Sequence, residues 1–102
     1  MTLMEFTMIP LDKGDSFSKY VARVLDIVDK SGLDYRLTPM GTIVEGRWTD
    51  LLALLDRCFT SMEEISDRIS LSVKFDHRKG HRGRLTGKVE SVKQTLGRDL
   101  KS

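Results

Sequence analysis

A carboxylate inside a predicted strand is the first group in the chain whose type and position suggest chemistry. Glu45 follows the run Thr42-Ile43-Val44, whose β-branched side chains suit a pleated, half-buried surface. On an antiparallel sheet with one open face, such a carboxylate is usually solvated. The alternative is that Glu45 faces a ligand or a subunit interface. The residues alone leave both interpretations open.

A pair of carboxylates is the one acid–base arrangement that the sequence suggests. Glu5 lies in the first predicted strand and would neighbour Glu45 if the two strands pair in a suitable register. Two close, buried carboxylates raise one pKa, as general acid–base catalysis often requires. The sequence does not fix that register, and it places no histidine beside a serine or beside Cys58 to activate a nucleophile. The residues therefore assign no catalytic site, and the Glu5–Glu45 pair is left open.

A basic segment runs from Lys74 to Lys88, with six basic residues against one acidic residue in a chain whose net charge is +2. It is either a solvated turn or a contact for a neighbouring subunit, an acidic partner or a phosphate. His77 and His81 are four residues apart, a spacing that aligns two metal ligands on a helix. Glycines at 80 and 83 disfavour a helix there, so no metal site is predicted.

Length and composition limit the class of protein. The 102 residues fit one domain, 1–102, with a tail at 97–102 that we expect to be frayed. No apolar run reaches the roughly 18 residues that a membrane span requires. Cys58 is the only cysteine, which excludes an intramolecular disulfide and a four-thiolate metal site within one chain. The first residues lack a signal-peptide pattern, so we expect a cytoplasmic protein without a membrane partner.

Alternating apolar residues predict four strands. In the first strand, Met4, Phe6 and Met8 fall on one face and are predicted to be core. The stretches 33–38 and 42–48 are predicted to form a hairpin around the turn at 39–41. The fourth stretch, 69–76, alternates most clearly.

Helical periodicity predicts three helices. Asp15 or Ser16 is expected to cap the first helix and Thr49 the second. Cys58 lies on the apolar face of the second helix and is predicted to be a core residue rather than a reactive thiol. A glycine at 97 is expected to end the last helix. The predicted helices span about 16–30, 50–62 and 85–96.

The order of these elements predicts an α+β fold of ferredoxin-like βαββαβ topology, with an extra C-terminal helix. Two helices would cover one face of a four-stranded antiparallel sheet. The other face would be mixed, and is either water-facing or a sheet-on-sheet subunit contact. We favour the contact, because a small chain gains from burying more surface. That face is predicted to carry Glu5, Thr7, Arg36, Thr38, Ile43, Glu45, Arg47, Ser70, Ser72 and Lys74.

The two ends of this fold offer different sites. Ser16 and the free N–H groups of the first helix would meet Thr42 and the 39–41 hairpin, where they could hold a polar or anionic group. The basic segment belongs to the opposite end, and its cations could neutralise phosphates of a nucleic acid. Ferredoxin-like RNA binders, however, place aromatic residues on the open face of the sheet. Here the strand aromatics fall on the other face, so nucleic acid is not the expected partner.

A set of short motifs, taken in order, carries a resemblance. The motifs are Ile9-Pro10, Ser31-Gly32-Leu33-Asp34-Tyr35, Met40-Gly41-Thr42-Ile43-Val44-Glu45-Gly46, Asp67-Arg68, Lys74-Phe75-Asp76-His77-Arg78 and Lys88-Val89-Glu90-Ser91-Val92. Over about residues 3 to 96 the chain resembles the small thiamine-binding protein family. The resemblance implies a ferredoxin-like fold with an added C-terminal helix and dimers that assemble into tetramers through their sheets. It also implies binding of thiamine or its hydroxymethylpyrimidine portion without chemistry.

The resemblance also implies ligand-binding residues, namely Gly41, Thr42 and Glu45; Ser16 is added from the topology. A carboxylate can offset the cationic thiazolium of thiamine. A threonine hydroxyl can both donate to and accept from the aminopyrimidine, and a glycine lets a ring approach the backbone. Thiamine would be the ligand, and no cofactor is expected.

The chain departs from the family pattern in two places. The turn at 63–67 lacks an expected glycine, and the segment after Asp76 is more basic than expected, which leaves room for a phosphorylated ligand or another partner. The favoured hypothesis is a cytoplasmic, homo-oligomeric, non-catalytic binder of thiamine (vitamin B1) or hydroxymethylpyrimidine. The alternative is a structural or regulatory interaction module whose basic 77–88 loop binds an acidic partner or phosphate.

Overall fold

One of the two inner strands of the sheet is β1 (Thr2–Pro10), and its apolar residues Met4, Phe6 and Met8 are buried on one side. The computed structural model describes residues 1–15 and 18–101. The remaining elements are α1 (Ser18–Lys30), β2 (Asp34–Thr38), β3 (Gly41–Gly46), α2 (Trp48–Glu63), β4 (Ile69–His77) and α3 (Arg84–Leu96).

The four strands form one antiparallel sheet in the order β2-β3-β1-β4. Because α1 and β2 lie between the neighbouring strands β1 and β3 in the chain, and β4 returns beside β1 after α2, the topology is the predicted ferredoxin-like one. The α+β fold class is confirmed. No helix within 1–15 and 18–101 has both the length and the apolar character that crossing a bilayer requires.

The core lies between the sheet and the pair α1 and α2. The predicted core residues Met4, Phe6 and Met8 are buried there, and Cys58 from α2 is fully buried with them. Burial raises the pKa of the Cys58 thiol to about 11, so the thiol is neutral and unreactive at ordinary pH. The core interpretation of Cys58 is confirmed. The other core members are Val24, Val28, Val44, Leu51, Leu54 and Met62.

The start of α2 differs from the prediction. Thr49 does not cap the helix, because the helix already begins at Trp48 and Arg47 occupies the N-cap position in an extended conformation. The Arg47 carbonyl accepts the first helical hydrogen bond, from the Leu51 N–H at 3.0 Å. The Trp48 ring also lies 4.5 Å from the Phe75 ring of β4, which holds the first turn against the sheet. The predicted cap Ser16 and the neighbouring Phe17 lie outside the described residues.

The third helix, α3, occupies the face of the sheet opposite α1 and α2. It packs over β2 and β3, so that the face predicted to be free of helices is partly covered. Glycines with positive φ bound the helix on both sides, Gly83 at 67° and Gly97 at 68°. The predicted stop at Gly97 is confirmed. Beyond it, the Asp99 carboxylate pairs with the Lys93 ammonium at 2.8 Å.

Two leucines of α2 test this description of the core. Leu54 is fully buried against the sheet, whereas Leu52, on the same helix, is 40% exposed. Leu54→Ala should lower the free energy of unfolding by about 2–5 kcal/mol, because it leaves a cavity in the core. Leu52→Ala should change it by less than about 1 kcal/mol. Urea denaturation of both variants measures the difference, and equal losses would contradict the assigned packing of α2.

Candidate functional site

Glu45 is a buried carboxylate under the N-terminus of α3. Its neighbours across the sheet are Asp34 on β2 and Leu3 on β1, and because directly paired residues share a face, all three point toward α3. The Glu45 residue is only 5% exposed. Its Oε1 accepts a hydrogen bond from the Arg84 main-chain N–H at 2.9 Å. The interpretation of Glu45 as a solvated strand residue is therefore wrong.

The Glu45 carboxylate acts as the cap of α3. The residue before the helix is Gly83, which has no side chain that could bond the free N–H groups of the first turn. A carboxylate from β3 supplies that bond instead, and its negative charge also suits the positive end of the helix dipole. The other oxygen, Oε2, is buried and has no hydrogen-bond partner among the described residues. A buried acceptor without a partner is destabilising unless a donor reaches it.

The side chain of Arg84 also holds the first turn of α3 in place. Its guanidinium donates to the Asp76 carboxylate at 2.7 Å and also bonds the Asp76 carbonyl. A further, longer hydrogen bond reaches the Met1 carbonyl at 3.4 Å. The first residue of α3 thus joins the end of β3 through its main chain and the end of β4 through its side chain.

A cleft of about 700 Å³ separates α3 and the basic segment from the sheet; we call it the α3 cleft. Its apolar walls are Leu3 and Ile43 from the sheet with Leu85 and Val89 from the helix. Its cationic residues, apart from Arg84, are Arg36, Arg78, Arg82 and Lys88. In the part of the chain that the structure describes, none of these four has a carboxylate within 4.0 Å.

A second cavity, of about 330 Å³, lies at the other end of the molecule beside the β2–β3 hairpin; we call it the hairpin cavity. It is lined by Gly41 and Thr42 and by apolar residues of α1 such as Val21 and Leu25. Thr42 faces the helices and is almost fully buried. A Cβ on Gly41 would lie 3.0 Å from the Thr7 hydroxyl oxygen, so the glycine is explained by the close approach of β1 as well as by any ligand.

The structure does not bring the predicted site residues together. Gly41 and Thr42 lie at the hairpin, whereas Glu45 lies three residues further along β3, about 10 Å away. The side chains of Thr42 and Glu45 also point to opposite faces of the sheet. Within one protomer, therefore, one small ligand cannot contact both side chains. The predicted site residue Ser16 lies outside the described residues.

The acid–base and metal candidates are also separated. Glu5 pairs with Ile43 on one side and Lys74 on the other, so it is diagonal to Glu45 and is itself exposed. The His77 imidazole is hydrogen-bonded to the Thr2 hydroxyl at 2.7 Å. Among residues 1–15 and 18–101, no three His, Cys, Asp or Glu side chains gather as a metal site would require.

Sequence reasoning missed the contribution of α3 to this site. The sequence places Leu85 and Val89 only within the last predicted helix, 85–96, and Arg36 only on the face of the sheet predicted to be free of helices. The signal that could have joined them is the polar face of the predicted sheet, where Arg36 and Ile43 are paired across β2 and β3. The apolar residues of the last predicted helix would then be expected to pack on that face of the sheet.

Comparison with known proteins assigns the chain to a family. A family model described as "Thiamine-binding protein" matches residues 4–93. The chain belongs to the thiamine-binding protein family. Its relatives in the family include the UPF0045 protein MJ1052 of Methanocaldococcus jannaschii, 31% identical over 88 residues that make up 86% of this chain and 88% of that protein. A UPF0045 protein of Methanothermobacter thermautotrophicus is 34% identical over 101 residues, covering 94% of this chain and 100% of the other.

Solved structures of similar proteins have the same fold. The crystal structure of MJ1052 superposes with a TM-score of 0.76 at 29% identity, covering 94% of this chain and 95% of that one. A Thermotoga maritima protein, TM0486, whose name proposes a part in thiamine biosynthesis or salvage, superposes with a TM-score of 0.79. At 18% identity, over 89% of this chain and 97% of that one, the second likeness concerns the fold alone.

The capping role of Glu45 can be tested by hydrogen exchange. Glu45→Ala should weaken the start of α3 by roughly 0.5–2 kcal/mol, as loss of an N-cap does elsewhere. The amides of Arg84 and Gly87, which bond to Glu45 and to the Gly83 carbonyl, should then exchange faster. Asp34→Ala is the matched control, because Asp34 is the exposed neighbour of Glu45 on the same face. Unchanged exchange in Glu45→Ala would show that the carboxylate does not hold the helix.

Proposed function

We propose that the chain is a cytoplasmic, non-catalytic, homo-oligomeric binder of thiamine or its hydroxymethylpyrimidine portion, and that the ligand lies in the α3 cleft. The observation that carries the proposal is the buried Oε2 of Glu45, which lacks a donor among the described residues and belongs to a side chain bonded to a cleft residue. Family membership supports the ligand class. The lone, buried Cys58 suits a cytoplasmic setting without disulfides.

The chemistry of the cleft suits a flat, polar ring. The apolar side chains of Leu3, Ile43, Leu85 and Val89 offer surface for burying ring faces. The unpartnered oxygen of Glu45 is buried next to the cleft, and a ligand that enters as far as Glu45 could donate to it from the exocyclic amine of the aminopyrimidine or offset its charge with the thiazolium. A volume of about 700 Å³ lies within the range of small-molecule sites.

A binding role without chemistry is consistent with the ionisable groups. A reaction would need a nucleophile or an acid–base pair converging on the cleft. The buried Cys58 thiol lies in the core on the other side of the sheet, and its raised pKa keeps it protonated. Glu5 is exposed and diagonal to Glu45 rather than directly opposite it.

Calorimetric titration with thiamine and with hydroxymethylpyrimidine tests the proposal. Glu45→Gln keeps a carbonyl oxygen that can cap α3 but removes the charge, and it should weaken binding by roughly 1–3 kcal/mol. Asp34→Asn, a charge change on the same face, and Thr42→Val, a change in the hairpin cavity, should leave affinity unchanged. Absence of heat and of any thermal shift with the wild-type protein would end this proposal. Loss of affinity in Thr42→Val alone would move the ligand to the hairpin cavity.

The edge of the sheet supports the oligomeric part of the proposal. Strand β4 pairs only with β1, so its other edge is free among the described strands. On its helix side, Leu71 and Val73 are 37% and 40% exposed, and Trp48 on the adjoining α2 is 46% exposed. The contact between the Trp48 and Phe75 rings joins the exposed apolar residues of β4 and α2 into one apolar surface. A second copy pairing along β4 would cover both the open edge and this surface.

Two substitutions on β4 distinguish this contact from stacking of sheet faces. Val73→Lys places a charge on the helix-side apolar surface, whereas Ser72→Lys places one on the opposite face of the same strand. Pairing along the β4 edge predicts that Val73→Lys lowers the mass measured by sedimentation and that Ser72→Lys does not. The reverse pattern would favour the stacked-sheet contact, and a monomeric wild-type protein would remove the oligomer from the proposal.

The alternative function is an interaction module that uses the basic 77–88 loop. The observation in its favour is that Arg78, Arg82 and Lys88 have no carboxylate partner among the residues that the structure describes. Joint replacement of Arg78, Lys79 and Arg82 by glutamine should then abolish capture of an acidic partner while leaving thiamine affinity intact. Arg84 is left unchanged in this variant because it anchors α3.

A further inference from the structure

The charges around the α3 cleft are not balanced. Its lining contains five cationic side chains and one carboxylate, that of Asp76. The Asp76 carboxylate is already engaged by Arg84 at 2.7 Å. Four cations, Arg36, Arg78, Arg82 and Lys88, therefore face one cavity without compensation from its lining.

Acidic residues of α3 and its tail do not supply the missing charge. Glu90 and Asp99 lie near Lys93, with oxygen-to-nitrogen distances of 3.8 and 2.8 Å. The hydrogen bond to Asp99 raises the pKa of Lys93, and like-charge repulsion from Arg36 only partly opposes that rise. Like charges that converge on a cavity are destabilising unless an anion is bound there.

The carboxylate of Glu45 lies next to the cleft and carries the opposite charge. It is buried beside Leu3 and accepts a hydrogen bond from the Arg84 main-chain N–H, and both of these residues line the cleft. Its other oxygen is buried and has no partner among the described residues. Arg78, Arg82 and Lys88 are exposed and lie on the loop and the second turn of α3. A buried acceptor therefore lies next to a cleft with a cationic rim.

Resting on the proposed function, we propose that the α3 cleft is built for the phosphorylated form of that ligand, a phosphate ester of thiamine or of hydroxymethylpyrimidine. The amine or thiazolium end meets Glu45, and the phosphate meets Arg78, Arg82 and Lys88. Arginine and lysine side chains bind phosphate oxygens by charge-assisted hydrogen bonds. Unphosphorylated thiamine is a cation, so it satisfies the carboxylate and leaves the rim uncompensated.

Titration calorimetry with thiamine, thiamine monophosphate, thiamine diphosphate and inorganic pyrophosphate tests the inference. The wild-type protein should bind at least one phosphate ester about tenfold or more tightly than thiamine, since one charge-assisted bond supplies that factor. In the triple variant Arg78→Gln/Arg82→Gln/Lys88→Gln, thiamine and its esters should differ by no more than about threefold. The preference of the wild-type protein should also weaken as salt is added, because the rim is exposed.

A second triple variant controls for net charge. Arg57→Gln/Arg68→Gln/Lys101→Gln removes three exposed cations that do not line the α3 cleft, and it should keep the wild-type preference. If thiamine binds and its phosphate esters bind no more tightly, this inference is overturned while the proposed function stands. If neither thiamine nor its phosphate esters bind, both the proposed function and this inference are overturned. If pyrophosphate binds as tightly as the esters, the cleft binds an anion without recognising the thiamine or pyrimidine part of the ligand, and the inference is likewise overturned.

Discussion

The hydrogen bond from the Arg84 main-chain N–H to the Glu45 carboxylate is the contact on which the functional part of the structure depends. It joins a strand to a helix that is nearly forty residues distant in sequence and whose preceding glycine cannot cap it. Without this bond the first turn of α3 would lose its cap and Glu45 would lose its only partner among the described residues. With it, α3 is held over β2 and β3, and the space between helix and sheet becomes the α3 cleft.

The electrostatics of the cleft follow from that placement. A carboxylate is stable in a buried position when it faces a helix N-terminus, and Glu45 does so with one oxygen. Docking of α3 then brings Lys88 and the preceding loop beside Arg36 of β2, which concentrates positive charge on the outer side of the same cavity. The fold thus places a buried acceptor next to a cavity lined by a group of cations, although the chain as a whole has a net charge of only +2.

The elements that the sequence predicts best are those with strong local periodicity. The alternation of Met4, Phe6 and Met8 identifies the buried face of β1, and Gly97 marks the end of α3, because each signal lies within a few residues. The separation of Thr42 and Glu45 onto opposite faces was also readable, since side chains alternate along a strand. The burial of Glu45 could not be predicted from the sequence. Its partner is a main-chain N–H, which any residue could supply, and no residue type marks it.

The position of α3 could not be predicted for a related reason. Its apolar residues are few, and Val92 and Leu96 remain exposed after docking, so the stripe does not identify the surface it covers. A crystal structure with thiamine bound would decide between the α3 cleft and the hairpin cavity. The ligand is expected between α3 and the sheet, with a nitrogen atom about 2.7–3.2 Å from Glu45 Oε2. A ligand held beside Thr42 in the hairpin cavity, with the α3 cleft unoccupied, would contradict this expectation.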